Sequence, residues 1–192
     1  MKFSYPGSGF SLSVEEFTVC EGETIALIGR NGSGKSTLAR ILSGLIEPEE
    51  GRVSIRIKGR WKDASPRDLN TFTGYVFQNP DYQIFLPTVE EELSYGLKKL
   101  GVKEAEIKSR VAEAAGLFRL PELSVPPAMM SYGARKRLQA AVYYLLERPL
   151  YILDEADSGL SFDDFLSILS IFRRKECGLV IITHDLGLAR QV

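Results

Sequence analysis

Residues 24–29 (TIALIG) form a continuous apolar run that ends on glycine, and Gly29-Arg30-Asn31-Gly32-Ser33-Gly34-Lys35-Ser36 follows without a break. An unbroken apolar run of this length reads as a strand buried on both faces of a parallel sheet. The octapeptide has the spacing G-x-x-x-x-G-K-[ST] of a phosphate-binding loop, and residues 37–42 continue it as a helix ending near Gly44. Glycines let backbone N–H groups close around a polyphosphate, and the helix N-terminus adds its positive end. The amides of Asn31, Gly32, Ser33 and Gly34 are therefore expected around the phosphates. Lys35 is expected on the β- and γ-phosphates, the Ser36 hydroxyl on Mg²⁺, and Thr37 on the α-phosphate.

Further runs at 150–153 and 179–182 read as buried strands of the same kind. Between the strands, residues 88–148 carry helical patterns: Thr88 with Glu91 is a capping-box signature, and Val89, Leu93, Leu97 and Leu100 recur at helical spacing. A second helix is expected over 103–117. After Pro121, Pro126 and Pro127 break the chain, a third is expected from Ser131 to Glu147. Near the N-terminus, Phe10, Leu12, Val14, Phe17 and Val19, and later Val53, Ile55 and Ile57, alternate as strands do. The fold class that follows is α/β.

The 192 residues carry 24 Lys+Arg against 25 Asp+Glu, a formal net charge of −1. A protein whose task is to wrap nucleic acid needs an excess of cations, so that class is disfavoured. The basic run Arg135-Lys136-Arg137 reads as a solvated face or an interdomain contact. Cys20 and Cys177 stand in no metal-ligand spacing, which fits a reducing compartment and free thiols. No stretch reaches the roughly 20 apolar residues of a spanning helix, so any membrane role is expected through partners.

Two further features carry chemistry. The run 150–153 ends in Asp154-Glu155. Downstream of a phosphate loop, Asp154 is placed to hold the Mg²⁺ shell and Glu155 to orient or deprotonate the attacking water. His184 follows the strand at 179–182, at the end of the sheet where ligands of open α/β folds bind. From there a neutral imidazole would reach the γ-phosphate or the water.

These motifs, in this order, resemble the ATP-binding-cassette (ABC) ATPases over nearly the whole chain. The resemblance implies a P-loop nucleoside triphosphatase core with a parallel sheet, an N-terminal antiparallel β subdomain and a helical subdomain. One domain spans 1–192, with 1–78 and 149–192 as the core and about 79–148 as the helical part. It implies that Gln78 contacts Mg²⁺ and the lytic water, and that Tyr5, with Phe3 as the competing aromatic, stacks on adenine. The segment from Gln78 to Glu92 (QNPDYQIFLPTVEEE) is similar to that of the ATPases of energy-coupling-factor (ECF) transporters, which import vitamins or transition-metal ions. There it forms part of a groove for a helix of the transmembrane coupling subunit. Glu90, Glu91 and Glu92 also read as a solvated acidic helix start.

The signature Leu-Ser-Gly-Gly-Gln of the resembled family corresponds to Met130-Ser131-Tyr132-Gly133-Ala134. Ser131 and Gly133 are the residues left to meet a γ-phosphate. Tyr132 is bulky, Ala134 lacks an amide, and Ser161 stands where the family carries the aspartate of the next loop. In that family two subunits close head to tail over two ATP molecules. The resemblance therefore implies a heterodimer with a related ATPase, a coupling subunit and a substrate-binding membrane subunit, no nucleic-acid partner, and a place at the cytoplasmic face of the membrane. The alternative is a nucleotide-binding structural subunit with little turnover of its own. Chromosome-maintenance ATPases are disfavoured because residues 80–150 leave no room for their long heptad insertion. The chain ends eight residues after His184, where the resembled family continues with further strand and helix.

Overall fold

The computed structural model describes residues 1–191. Its chain begins with β1 (Lys2–Ser4), paired antiparallel with β2 (Ser11–Ser13). Then come β3 (Thr24–Leu27) and α1 (Lys35–Leu42), and an antiparallel hairpin of β4 (Ser54–Ile57) and β5 (Arg60–Asp63). Helix α2 (Pro66–Phe72) leads into β6 (Thr73–Val76). Three helices follow, α3 (Val89–Lys99), α4 (Glu104–Leu117) and α5 (Tyr132–Leu145). The chain closes with β7 (Leu150–Asp154), α6 (Phe162–Arg173), β8 (Gly178–Ile182) and α7 (Leu186–Ala189).

The central sheet has the order β3-β8-β7-β6, and all of its pairings are parallel. Alternation of side chains across the pleat divides the core into two layers. Ile152, Val180 and Ile182 face α1, where Leu38, Ala39 and Leu42 cover them with Tyr75. Tyr151, Leu153, Leu179 and Ile181 face the other way, into a larger core with residues of α3, α4, α5 and α6. Leu27 is level with Ile182, and Ile182 with Asp154. The loops after β3, β7 and β8 therefore leave from one edge of the sheet.

The three expected helices in the middle of the chain form within two residues of their expected ends. Half of the capping box at Thr88 forms: its Oγ1 accepts from the Glu91 amide at 3.2 Å, but Glu91 takes the Thr88 hydroxyl rather than its backbone N–H. The expected strand over Phe17 and Val19 does not form. Those side chains pack against the α1 side of the core while their backbone stays outside any ladder, so apolar alternation here reports burial and not pairing. The sheet gains a fourth strand in β6, and α2, α6 and α7 are helices for which the sequence pattern set no bounds.

Glu92 corrects the reading of a solvated acidic helix start. It is 3% exposed, and its Oε1 accepts from the amides of Phe85 and Leu86. Burial raises its pKa, and the two amide bonds and the neighbouring charge of Glu91 modify that shift. Lys136 corrects the solvated-face reading of 135–137: it is 2% exposed.

Candidate functional site

The phosphate loop is built by glycines in backbone conformations that side chains resist. Gly34 caps α1 at φ +95°, and a Cβ there would stand 2.9 Å from Cδ1 of Leu12. Helix α1 therefore starts directly over the loop, two residues earlier than expected, with Leu12 and Phe10 closing its outer side. The Lys35 ammonium donates to the carbonyls of Gly29 at 2.9 Å and Arg30 at 3.1 Å, which draws it back across the loop.

A cleft of about 490 Å³ opens over this loop, within the range of small-ligand sites. Its walls bring together Tyr5, Asn31, Gly32, Ser33, Gly34, Lys35, Ser36, Thr37, Gln78, Glu155 and His184, all residues singled out in the sequence. Tyr5, not Phe3, lines it. Phe3 stacks edge-on behind Tyr5 at 4.8 Å between centroids. The Tyr5 hydroxyl lies 3.4 Å from Thr37 Oγ1 and accepts from Arg40 Nη1, also at 3.4 Å.

Asp154, the last residue of β7, is 5% exposed. Its carboxylate accepts from Ser36 Oγ at 3.1 Å and from the Tyr75 hydroxyl at 2.5 Å. Burial, reinforced by the Asp154 charge, pushes the Tyr75 phenol far above its ordinary range, so it stays a donor.

Glu155 stands just beyond the strand in a left-handed conformation, φ +47°. Gln78 Nε2 donates to its Oε2 at 2.5 Å, and His184 Nε2 lies 2.9 Å from its Oε1. One carboxylate lining the cleft is thus held from two sides by residues just beyond the ends of two other strands. Such a group can take a proton from, or orient, a water placed against a bound phosphate.

Ser131 and Gly133 are not brought into this cleft. Ser131 caps α5, accepting from the Ala134 amide at 3.3 Å, and Gly133 faces the backbone of Gly159. Tyr132 fills the space between: a Cβ on Gly159 would stand 2.4 Å from its ring, and its hydroxyl donates to the Gln78 carbonyl at 3.2 Å. Ser161 caps α6, accepting from the Asp164 amide at 3.1 Å.

Sequence reasoning missed four participants. Ser8 and Phe10 line the cleft, and the alternation of Phe10 with Leu12 concealed that role. Tyr75 is the next-to-last residue of β6 and carries no motif. Lys136 lay inside a basic run and gave no signal of its burial.

A parallel sheet whose leading edge presents a phosphate loop, paired carboxylates and a glutamine and histidine clamped on one of them defines a nucleotide-hydrolysing cassette. The chain belongs to the ABC transporter family, whose model matches residues 12–158. It is 36% identical over 193 residues to the energy-coupling factor transporter ATP-binding protein EcfA of Methanoculleus marisnigri, covering 98% of this chain and 69% of that protein. Among solved structures it is similar to an ATP-binding subunit of an ABC transporter, with TM-score 0.83 and 32% identity over 99% of this chain and 79% of that one. It is also similar to cbiO1 of Clostridium perfringens, part of the cbiONQ transporter complex, with TM-score 0.74 and 31% identity over 88% and 70% of the two chains. The chain is an ABC-type ATPase, a class in which ATP hydrolysis is coupled to transport.

Proposed function

We propose that the chain is the Mg²⁺-dependent ATPase subunit of an ECF-type importer of a vitamin or metal ion, paired with a related ATPase in a heterodimer. The observation that carries the ATPase part of this reading is the double clamp on Glu155 by Gln78 and His184 above the phosphate loop; the ECF part is supported by the likeness to EcfA and cbiO1. The clamp supports roles for Glu155 with the lytic water, for His184 at the γ-phosphate, and for Gln78 between water and metal. Ser36 and Asp154, 3.1 Å apart, offer one hydroxyl and one carboxylate oxygen. That is the sparse, hard donor set Mg²⁺ accepts when phosphates and waters complete its shell, with Gln78 as a third candidate ligand. Tyr5 is the candidate adenine-stacking residue.

The asymmetry supports the heterodimer. The face toward this chain's own phosphate loop is furnished with every expected group, whereas Ser131 and Gly133 flank a tyrosine that fills the space over Gly159. In a head-to-tail pair this chain's own ATP, completed by the partner's signature, would turn over faster than the partner's. The same tyrosine favours the second reading, a nucleotide-binding structural subunit with little turnover.

Attachment to the membrane is assigned to partners: among the described residues no helix is long and apolar enough to cross a bilayer. Tyr82, Phe85 and Met129, 80%, 68% and 81% exposed, lie around the segment after Gln78 and are candidates for docking the coupling subunit, which in turn holds the substrate-binding membrane subunit. The reading places the chain at the cytoplasmic face, with no nucleic-acid partner. The test is to co-purify the chain with its membrane partners, identify them by mass spectrometry and compare ATPase rates. The reading expects a related but distinct ATPase in the complex and slow hydrolysis by the chain alone; robust hydrolysis by a homodimer contradicts it.

A further inference from the structure

Helix α5 turns a polar stripe toward the backbone that carries Gln78 and Glu155. Tyr132, Lys136, Gln139 and Tyr143 stand at helical spacing i, i+4, i+7 and i+11, so they share one face. Each touches the scaffold of the clamp on Glu155. Tyr132 donates to the Gln78 carbonyl at 3.2 Å and Gln139 to the Phe77 carbonyl at 3.1 Å. Tyr143 holds Gln83 at 2.6 Å, and Gln83 Oε1 accepts from the Phe77 amide at 3.0 Å. Lys136 alone reaches the other strand, donating from Nζ to the Glu155 carbonyl at 3.2 Å.

That carbonyl belongs to a strained residue. A non-glycine side chain at φ +47° lies in the left-handed region, where it is strained and needs its surroundings to hold it. Three bonds do so here: the Glu155 amide donates to Ile182 O at 2.9 Å, and its carbonyl accepts from the Ser158 amide at 3.1 Å and from Lys136. Lys136 is the only side chain of the three. Its ammonium is buried against the charges of Asp157, Asp154 and Glu155, and desolvation nevertheless lowers its pKa to about 8. A buried cation held at a net cost beside a strained carboxylate is poor as a stabilising device. It is well placed to set where that carboxylate points.

We propose that Lys136 is a positioning residue for ATP hydrolysis at its own subunit's site, acting through the backbone of Glu155. By this account α5, the helix that begins with the signature, also builds the site in cis. Lys136 fixes the left-handed turn while Tyr132 and Gln139 fix the carbonyls of the opposing Gln78 and of Phe77 before it. The inference rests on the proposed role of Glu155 with the lytic water.

The test uses the full chain purified with the partners it brings down, comparing wild type, Lys136→Met, Lys136→Arg and Glu155→Gln. Displacing a reacting group by about 1 Å costs on the order of 100-fold, so Lys136→Met should lower kcat by about 10- to 100-fold while KM for Mg·ATP stays within about threefold. Its melting temperature should not fall, because an apolar side chain replaces a desolvated cation. Lys136→Arg should recover most of the rate. In the Glu155→Gln background Lys136→Met should change the residual rate by less than about twofold, since the two act as one unit. Should Lys136→Met fail to fold, Lys136→Gln is measured in its place. A kcat within about twofold of wild type, a loss matched by lower melting temperature or by raised KM, or a full additive loss in the Glu155→Gln background overturns the proposal. An inactive wild-type complex, or Glu155→Gln as active as wild type, would instead remove the underlying assignment of Glu155.

Discussion

The side-chain amide of Gln78 donates to Oε2 of Glu155 at 2.5 Å, joining the loop after β6 to the end of β7. His184 holds the other oxygen of the same carboxylate from the end of β8. Three strands of one sheet therefore converge on one carboxylate, and the parallel register that brings their ends level makes the convergence possible. A rigidly oriented carboxylate can act on a water without reorganising during the reaction.

Replacing Glu155 by Gln keeps the size of the side chain and removes the carboxylate proposed as the base. Hydrolysis by the assembled complex should fall by about 10²- to 10⁴-fold, the usual contribution of a general base. Binding of Mg·ATP, measured by calorimetry, should persist, and pairing with the proposed partner ATPase in ATP should strengthen. Unchanged turnover removes Glu155 from this role.

Tyr132 and Gly159 form a size-complementary pair, with φ +78° at the glycine and the tyrosine ring where a Cβ would stand. Gly159→Ala should therefore lower stability by about 1–3 kcal/mol in denaturant unfolding, from both backbone strain and overpacking. In a Tyr132→Gly background the overpacking part disappears, so the same substitution should cost less. Equal losses in both backgrounds would dissociate the pair.

Glu92 should show an inverted acid response. Its folded pKa is raised above the ordinary 4.5, mainly by burial, so the folded state disfavours the charged form. Its contribution is least unfavourable below 4.5 and worsens as pH rises through the raised folded pKa. Glu92→Gln keeps an acceptor for the Phe85 and Leu86 amides without the charge. Its melting temperature should match wild type in acid and exceed it increasingly toward neutral pH. Glu92→Ala, which leaves two amides unpaired, should lose about 2 kcal/mol. A Gln variant less stable than wild type at neutral pH contradicts the burial argument.

The placement of site residues set by short-range pattern was legible in the chain itself. The apolar run, the glycines and Lys35 follow one another, so the phosphate loop needed no tertiary information, and the same holds for Asp154 and Glu155 at the end of an apolar strand. His184 was placed by one rule about where sheets bind ligands. What stayed hidden depends on distant partners. The burial of Lys136 follows from a carbonyl 19 positions away, and that of Tyr75 follows from a carboxylate 79 positions away. Glu92 was misread because three glutamates in a first helical turn normally face water, and the two amides that capture one of them, of Phe85 and Leu86, belong to a turn whose path the sequence does not reveal. Phe17 and Val19 alternate like a strand, yet pack on the core with no ladder partner. The choice between Tyr5 and Phe3 needed the cleft itself, and Tyr5→Ala should weaken ATP binding by about 1–3 kcal/mol if its ring stacks on the base.

Titration calorimetry of the folded chain with Mg·ATP, wild type against Lys35→Ala, tests the central claim most directly. The account predicts saturable binding near one nucleotide per chain, weakened at least about tenfold by the loss of a charge-assisted contact to the phosphates. No heat from the wild-type chain, or equal affinity in both, would contradict it.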